Sequence, residues 1–368
     1  MSRSYIDHFA DDFGPEKVIH IYEPKSKLKA IVVIDNLSLG VAVGGCRIAS
    51  DVTGEEVFRL ARAMTLKNAL ANLPHGGAKS AIIARPDDPE KEKLIRAFAV
   101  SIKHLTEYIP GPDMGTDETC MAYIYDEIGR AVGLPKVLGG LPLDQLGTTG
   151  FGVAIAADVA SEILGIPLKG ARVVIQGFGN VGSAAARNLT DRGARLMATC
   201  DINGGVYHPN GLDVPALLRE REKGVPISES RVGQSIPRDS ILDIESDIFI
   251  PAARPDIVTE ANQHLLNTRL ILEGANIPIT HGAAKMLHNR GIWLVPDIIA
   301  NSGGVICAAT ELLSLTEANA FDRIQTTITE NTEELLERVK EENLPPHEVA
   351  LGMAKERISQ AMTYRAHM

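Results

Sequence analysis

The chain has 368 residues, 45% of them hydrophobic and 23% charged, with a formal net charge of −10. That length suits about two domains with sizeable cores, and the balance excludes a disordered or collagen-like chain. An acidic chain without a basic stripe is also a poor nucleic-acid binder.

In chain order, KLKAIVVID (27–35) predicts a strand, GEEVFRLARAMTLKNALANL (54–73) a helix, KSAIIARP (79–86) a strand and KEKLIRAFAVSIKHLTEYI (91–109) a helix. PGPDMGTDETCMAYIYDEIGR (110–130) opens as a Pro/Gly loop, with Thr116 before Asp117 and Glu118 as a helix start, so Asp113 falls just ahead of a helix. LGGLPLDQLGTTGFG (138–152) has the composition of a linker, which places a boundary near residue 148. Beyond it, helix GVAIAADVASEILG, strand ARVVIQ, a glycine turn, helix SAAARNLTDRG and strand RLMATCD precede further strands at DIFIPAA, LILEGA and IWLVPD. Short buried strands separated by helices predict a parallel, doubly wound sheet, and the last fifty or so residues read as helical.

No apolar run approaches the roughly 20 residues of a membrane span, and MSRSYIDHFADDFG has acidic residues where a secretory leader has an apolar stretch. Cys46, Cys120, Cys200 and Cys307 stand far apart with no CxxC pair, so reduced buried thiols are expected, with neither a disulfide framework nor a metal site. The reading is a cytoplasmic protein with no membrane or nucleic-acid partner.

GFGNVG follows a β-branched strand and opens a helix. Gly177 allows the tight turn, Gly179 lets a pyrophosphate approach the backbone, and Gly182 permits close helix packing, with Asn180 and Val181 between them at the helix N-terminus. Asp201 ends the next strand near the expected spacing of about 20 residues for a carboxylate that bonds ribose hydroxyls. Ile202 and Asn203 follow it without an adjacent cation for a 2′-phosphate, which favours NAD over NADP.

MTLKNALANLPHGGAKS holds two lysines. Lys67 shares a helical stripe with Val57, Leu60 and Met64; it is either a snorkelling lysine or one whose countercharge is a bound carboxylate. Lys79, after Gly76-Gly77-Ala78, is either an ordinary surface lysine or a base whose pKa falls beside a second cation. Asp113 is by default a turn residue, but close to Lys79 it would complete a proton-transfer pair. His75 in the same turn reads as structural or as a modulator of Lys79.

Over nearly its whole length the chain resembles the glutamate/leucine/phenylalanine/valine dehydrogenases, through VAVGGCRIA (41–49), MTLKNALANLPHGGAKS (64–80), PDMGT (112–116), TTGFG (148–152), IQGFGNVG (175–182), LEGAN (272–276) and PDIIANSGGV (296–305). The resemblance implies that Lys67 holds the substrate α-carboxylate beside Gly44 and Gly45, and that Lys79 activates water with Asp113. Asn301 would orient substrate, while Thr149, Ala252, Ala253 and Asn276, with Asn180, line the cofactor. It implies two α/β domains with a cleft between them. These are a substrate-binding and oligomerisation domain (1–148) and a Rossmann-type NAD-binding domain (149–305), followed by C-terminal helices (306–368) that pack back on the first domain. A homo-oligomer and reversible, NAD-dependent oxidative deamination of an amino acid to a 2-oxo acid and ammonia follow.

Glutamate-specific members of the family place a lysine and a serine where this chain has Val43 and Ala308. Burying a carboxylate among apolar groups costs several kcal/mol without a donor, so a hydrophobic amino acid is the expected substrate. Gly111 resembles the phenylalanine type and Val305 the leucine type. LPLDQLGTTGFG and LEGANIPIT look more like the glutamate type, so glutamate dehydrogenase is the alternative, and a catalytically silent NAD-binding sensor is a second one.

Overall fold

The computed structural model describes residue 6 and residues 9–365. Residues 1–5, 7 and 8, on which the leader argument partly rests, lie outside the described residues. The chain divides into two compact units, one of residues 1–143, 305–320 and 353–368, the other of residues 144–304 and 321–352.

The first unit is built on five strands: β1 (Lys17–Glu23), β2 (Leu28–Asn36), β3 (Ala42–Ile48), β4 (Gly76–Ile82) and β5 (Tyr108–Pro112). They lie in the order β1-β2-β4-β3-β5, antiparallel across β1, β2 and β4 and parallel across β4, β3 and β5. Three helices, α1 (Gly54–Leu70), α2 (Lys91–Ser101) and α3 (Glu118–Ile128), cover this sheet. Strand alternation decides which side each residue serves. Ile31, Val33 and Ala81 pack with Val57, Phe58 and Ala61 of α1, whereas Val32, Ile34, Cys46 and Ile82 pack with Ile95 and Phe98 of α2 and Met121 and Ile124 of α3. α1 starts where Thr53 Oγ1 accepts from Glu56 N at 3.2 Å, an N-cap reinforced by Glu55 and Glu56 in the positive first turn. At its other end the carbonyl of Ala69 accepts from Arg357 Nη1 at 2.8 Å, a cation on the negative end of the helix dipole.

Three expectations need correction here. The helix expected over 91–109 stops at Ser101, and Tyr108–Pro112 is a strand, because Pro110 and Pro112 bar helix continuation and the segment pairs with β3. The strand expected over 79–86 begins earlier, so Gly76 and Gly77 are in-register partners of Ala42 and Val43, not a turn. Their missing side chains serve packing: a Cβ on Gly77 would lie 2.1 Å from the Thr65 backbone nitrogen of α1. The stretch 138–152, expected as a linker, contains α4 (Leu143–Leu146) and the start of α5 (Thr148–Leu164). Its glycines permit close contact, since a Cβ on Gly150 would lie 2.6 Å from Val181 O.

The second unit continues with β6 (Arg172–Gln176), α6 (Asn180–Asp191), β7 (Arg195–Asp201), β8 (Gly204–Tyr207), α7 (Val214–Glu222), β9 (Gln234–Ile236), β10 (Ile248–Pro251), β11 (Leu270–Leu272), α8 (His281–Asn289), β12 (Trp293–Val295) and α9 (Asp297–Ala300). The sheet order is β12-β11-β10-β6-β7-β8-β9, parallel from β12 to β7. β8 and β9, not expected from the sequence, form an antiparallel edge. From β6 the chain runs outward through β7 in one direction and later returns to add β10, β11 and β12 in the other, a doubly wound α/β arrangement. Three helices, α10 (Gly303–Leu312), α11 (Glu317–Glu342) and α12 (Pro346–Tyr364), complete the chain, each contributing residues to both units. Among the described residues no helix is long and apolar enough to cross a membrane, and all four cysteines are buried free thiols.

Gly77→Ala is expected to lower stability by about 2–3 kcal/mol in urea unfolding, because backbone must move. Gly352→Ala, in α12 with open space around its Cβ position, is expected to be neutral or to stabilise by up to about 1 kcal/mol.

Candidate active site

On β3, Val43, Gly45 and Arg47 alternate onto one face of the first unit's sheet. Gly111 on β5 is opposite Gly45, and Lys79 on β4 is beside it. Gly45 clears the ground between charged neighbours: a Cβ there would sit 3.1 Å from Lys79 Nζ and 2.8 Å from Asp113 Cβ. Lys79 is 4% exposed, and its ammonium lies 3.2 Å from Asp113 Oδ2. The same carboxylate oxygen accepts from Arg47 Nε at 2.8 Å, and Arg47 also reaches Glu56 of α1.

Asp113 is set by its own turn, as its N–H donates to Thr116 Oγ1 at 2.8 Å and the Thr116 hydroxyl donates to Cys46 O at 2.9 Å. Burial works against ionisation of Asp113, but the Lys79 and Arg47 charges outweigh it and hold the carboxyl below the usual carboxylate range. Lys67, in the last turn of α1, is 5% exposed. Gly44 points to the opposite face, where its carbonyl accepts from the Tyr108 hydroxyl at 3.0 Å, and Tyr108 also bonds Ser80 at 2.8 Å. His75 is half-buried at the entry to β4.

Val43, Val132 and Ala308 form one buried apolar cluster, with Ile109 and Leu312 packed against it. Gly111 borders it, since a Cβ there would lie 3.0 Å from Val132 Cγ2. Ala308 is positioned through Glu311, one turn on in α10, whose carboxylate accepts from the backbone N–H groups of Gly133, Leu134 and Leu141 at 3.2, 3.2 and 2.8 Å. Val305 is half-buried at the start of the same helix.

In the second unit, the carboxyl ends of β6 and β10 meet at the point where strand order reverses, the usual ligand crevice of such sheets. Gly177 takes φ 104°, and a Cβ there would lie 2.9 Å from the Ala253 Cβ and 3.0 Å from Ala252. A Cβ on Gly182 would lie 1.9 Å from Gly177 O, whereas Gly179, at the N-terminus of α6, faces open space. That bare backbone at a helix N-terminus fits a dinucleotide pyrophosphate. Asn180 and Val181 form the first turn of α6. Asp201 ends β7 with Oδ1 accepting from Asn203 N at 2.7 Å and Oδ2 from Ile227 N at 2.8 Å. Asn301, 5% exposed, donates through Nδ2 to Ala275 O at 3.0 Å and to Gly274 O and Asn276 Oδ1 at 3.3 Å. The Thr149 hydroxyl would lie 2.9 Å from a Cβ on Gly304.

Sequence reasoning missed four contributors. Arg47 was legible, because strand alternation from Gly45 puts it beside the expected lysine. Arg221 donates to Asn180 Oδ1 at 2.7 Å, and Glu311 and the Glu273–His347 pair act over sequence distances no local pattern reveals.

The profile "Glutamate/Leucine/Phenylalanine/Valine dehydrogenase" matches residues 139–366, and "Glu/Leu/Phe/Val dehydrogenase, dimerisation domain" matches residues 15–130. A glutamate dehydrogenase of Aeropyrum pernix is 35% identical over 356 residues, 90% of this chain and 85% of that protein. The catabolic NAD-specific glutamate dehydrogenase RocG of Bacillus subtilis is 39% identical over 285 residues, 73% of this chain and 67% of that protein. Among solved structures, the hetero-hexameric glutamate dehydrogenase of Thermus thermophilus in a Leu-bound form superposes with a TM-score of 0.86 at 27% identity, covering 96% of this chain and 91% of that one. L-tryptophan dehydrogenase of Nostoc punctiforme does so with a TM-score of 0.73 at 26% identity, covering 97% and 98%. With the two profiles matched over residues 15–130 and 139–366 and a relative 35% identical over 90% of its length, the chain belongs to the glutamate/leucine/phenylalanine/valine dehydrogenase family.

Proposed function

We propose that the protein catalyses the reversible oxidative deamination of an L-amino acid to its 2-oxo acid and ammonia. The observation that carries this reading is the Lys79–Asp113 pair, buried beside Gly45 at a spot where the backbone carries no side chain. Lys67 is assigned the substrate α-carboxylate, with the Gly44-Gly45 backbone beside it, on the resemblance of the MTLKNALANLPHGGAKS stretch to the family. A bound nicotinamide would supply the hydride acceptor. Loss of hydride from Cα and of an amine proton leaves an iminium. Lys79 passes its ammonium proton to the Asp113 carboxylate, and the resulting amine takes a proton from the water that adds to the iminium. Asp113 then gives its proton to the carbinolamine nitrogen, and as the C–N bond breaks to release ammonia the hydroxyl loses its proton to form the 2-oxo acid. Asn301 orients the substrate, and Thr149, Gly177, Gly179, Asn180, Val181, Gly182, Ala252, Ala253 and Asn276 form the cofactor cradle. Residues 1–148 then act as substrate-binding and oligomerisation domain, 149–305 as cofactor domain, and the protein works as a homo-oligomer.

Glutamate is the substrate that kinship favours, since the curated relatives described above are glutamate dehydrogenases. A hydrophobic amino acid is the second reading, favoured by the Val43–Val132–Ala308 cluster, which offers no donor to a side-chain carboxylate. NAD is the proposed cofactor: Asp201 ends β7, the place where a carboxylate bonds the ribose hydroxyls in such sheets, and its oxygens are held by the Asn203 and Ile227 N–H groups.

Steady-state assays with glutamate, leucine, valine and phenylalanine, each with NAD and with NADP, decide among these readings; turnover with none of the four overturns the proposal. If the apolar cluster sets specificity, Val43→Lys with Ala308→Ser is expected to raise kcat/KM for glutamate relative to leucine by roughly 10–100-fold. Lys79→Ala is expected to lower kcat by roughly 100-fold or more with NAD affinity intact. Arg47→Gln removes one of the two cations that depress the Asp113 pKa. The acid limb of the kcat/KM profile, where Asp113 gains its proton, is then expected to move to higher pH.

A further inference from the structure

Glu273 follows β11 and is fully buried. A carboxylate taken wholly out of water is stable only with donors and a countercharge. Its donors are the Asp297 N–H, 2.8 Å from Oε2, and His347, whose Nε2 lies 3.0 Å from each carboxylate oxygen. Asp297 itself accepts from Ile277 N at 2.9 Å, and Asn301, one turn further on, bonds the carbonyls of Gly274 and Ala275. One network thus ties 273–277 to 297–301, the two segments that carry Asn276 and Asn301, and His347 closes it from outside.

We propose that His347 is a positioning residue: as an imidazolium clamped on Glu273, it holds these two segments in the geometry that receives the nicotinamide end of the cofactor and the substrate. This rests on the dehydrogenase reading above. His347 stands in the first turn of α12, after Pro345 and Pro346. The helix dipole disfavours a cation at that end, so α12 itself gives no reason for a charged histidine there, whereas Glu273 does. The other charged groups around it are accounted for. Asp297 adds a second negative charge on the same side, and the neighbouring Glu348 is engaged by Lys285 at 2.9 Å and approached by His281 at 3.8 Å, both of α8. Burial opposes the His347 charge, but Glu273 outweighs it, so the imidazolium persists above its ordinary range. The clamp is therefore lost as pH rises through the raised His347 pKa, leaving Glu273 buried without a countercharge, and it is lost again in acid, where burial makes the Glu273 carboxyl take its proton earlier than an ordinary glutamate.

The test is NAD affinity by calorimetry, with KM for the amino acid alongside, from pH 6 to 9. The wild type is expected to bind NAD most tightly where Glu273 is ionised and His347 protonated, and to weaken as pH climbs above that range. His347→Gln is expected to bind roughly 10-fold more weakly and with a flat profile. The double variant Glu273→Gln/His347→Gln, which removes the orphaned carboxylate, is expected to regain most of the loss, a rescue that general destabilisation would not produce. Wild-type affinity and pH profile in His347→Gln, or losses in the double variant that simply add, overturn the clamp. Should His347→Gln not fold, Glu273→Gln alone carries the test, a profile still falling at alkaline pH being the result against it. A wild type that binds NAD but turns over no amino acid would instead sink the dehydrogenase reading, because the affinity measurement stands without it.

Discussion

The first unit depends on one shared carboxylate. Asp113 binds Lys79 and Arg47 through a single oxygen, and all three groups are largely withdrawn from water. Arg47 is also paired with Glu56, so this corner holds two cations and two anions, and the shared carboxylate fixes where the buried ammonium of Lys79 stands. The corner exists because Gly45 has no side chain. Any Cβ there would collide with the acid and crowd the ammonium, so the smallest residue in the strand sets the spacing of the largest charges around it.

The second unit places its charges by different means. The anion site proposed there would be made of backbone: Gly179 leaves the first turn of α6 bare, and the aligned peptide dipoles supply the positive end. Arg221 adds a cation through Asn180, and Asp201 supplies the opposing sign at the end of β7. Charge is carried by side chains in the first unit and largely by peptide groups in the second. This suits the roles proposed for them, since protons move on side chains, whereas a pyrophosphate would only have to be held.

Legibility followed the range of the interactions. The glycine turn after β6 and the place of Asp201 at the end of β7 depend on contacts local in sequence or on strand adjacency, so their positions in the fold could be read from pattern alone. Gly76 and Gly77 misled the reading because their composition is that of a turn; what demands glycine is the approach of the Asn36 carbonyl of β2 at position 76 and of Thr65 on α1 at position 77, which a turn pattern does not reveal. The same holds for 138–152, whose glycines admit α6 against α5. Tyr108–Pro112 was hidden inside a helical period because the strand has its partner at Ala42–Ile48, far back in the chain. Glu311 and His347 had no local signal at all, since the groups they bond lie 170 or more and 74 positions away.

Arg357 donates to the Ala69 carbonyl across 288 positions, and residues 305–320 and 353–368 complete a unit that begins at the N-terminus. A ribosome delivers those closing pieces after every strand of the intervening sheet. The helix bearing Lys67 therefore lacks its Arg357 contact while that sheet already has all its strands in hand. During synthesis the second sheet can pair before the first unit receives its closing pieces, and since residues 321–352 belong to the second unit, both units are completed by helices made late.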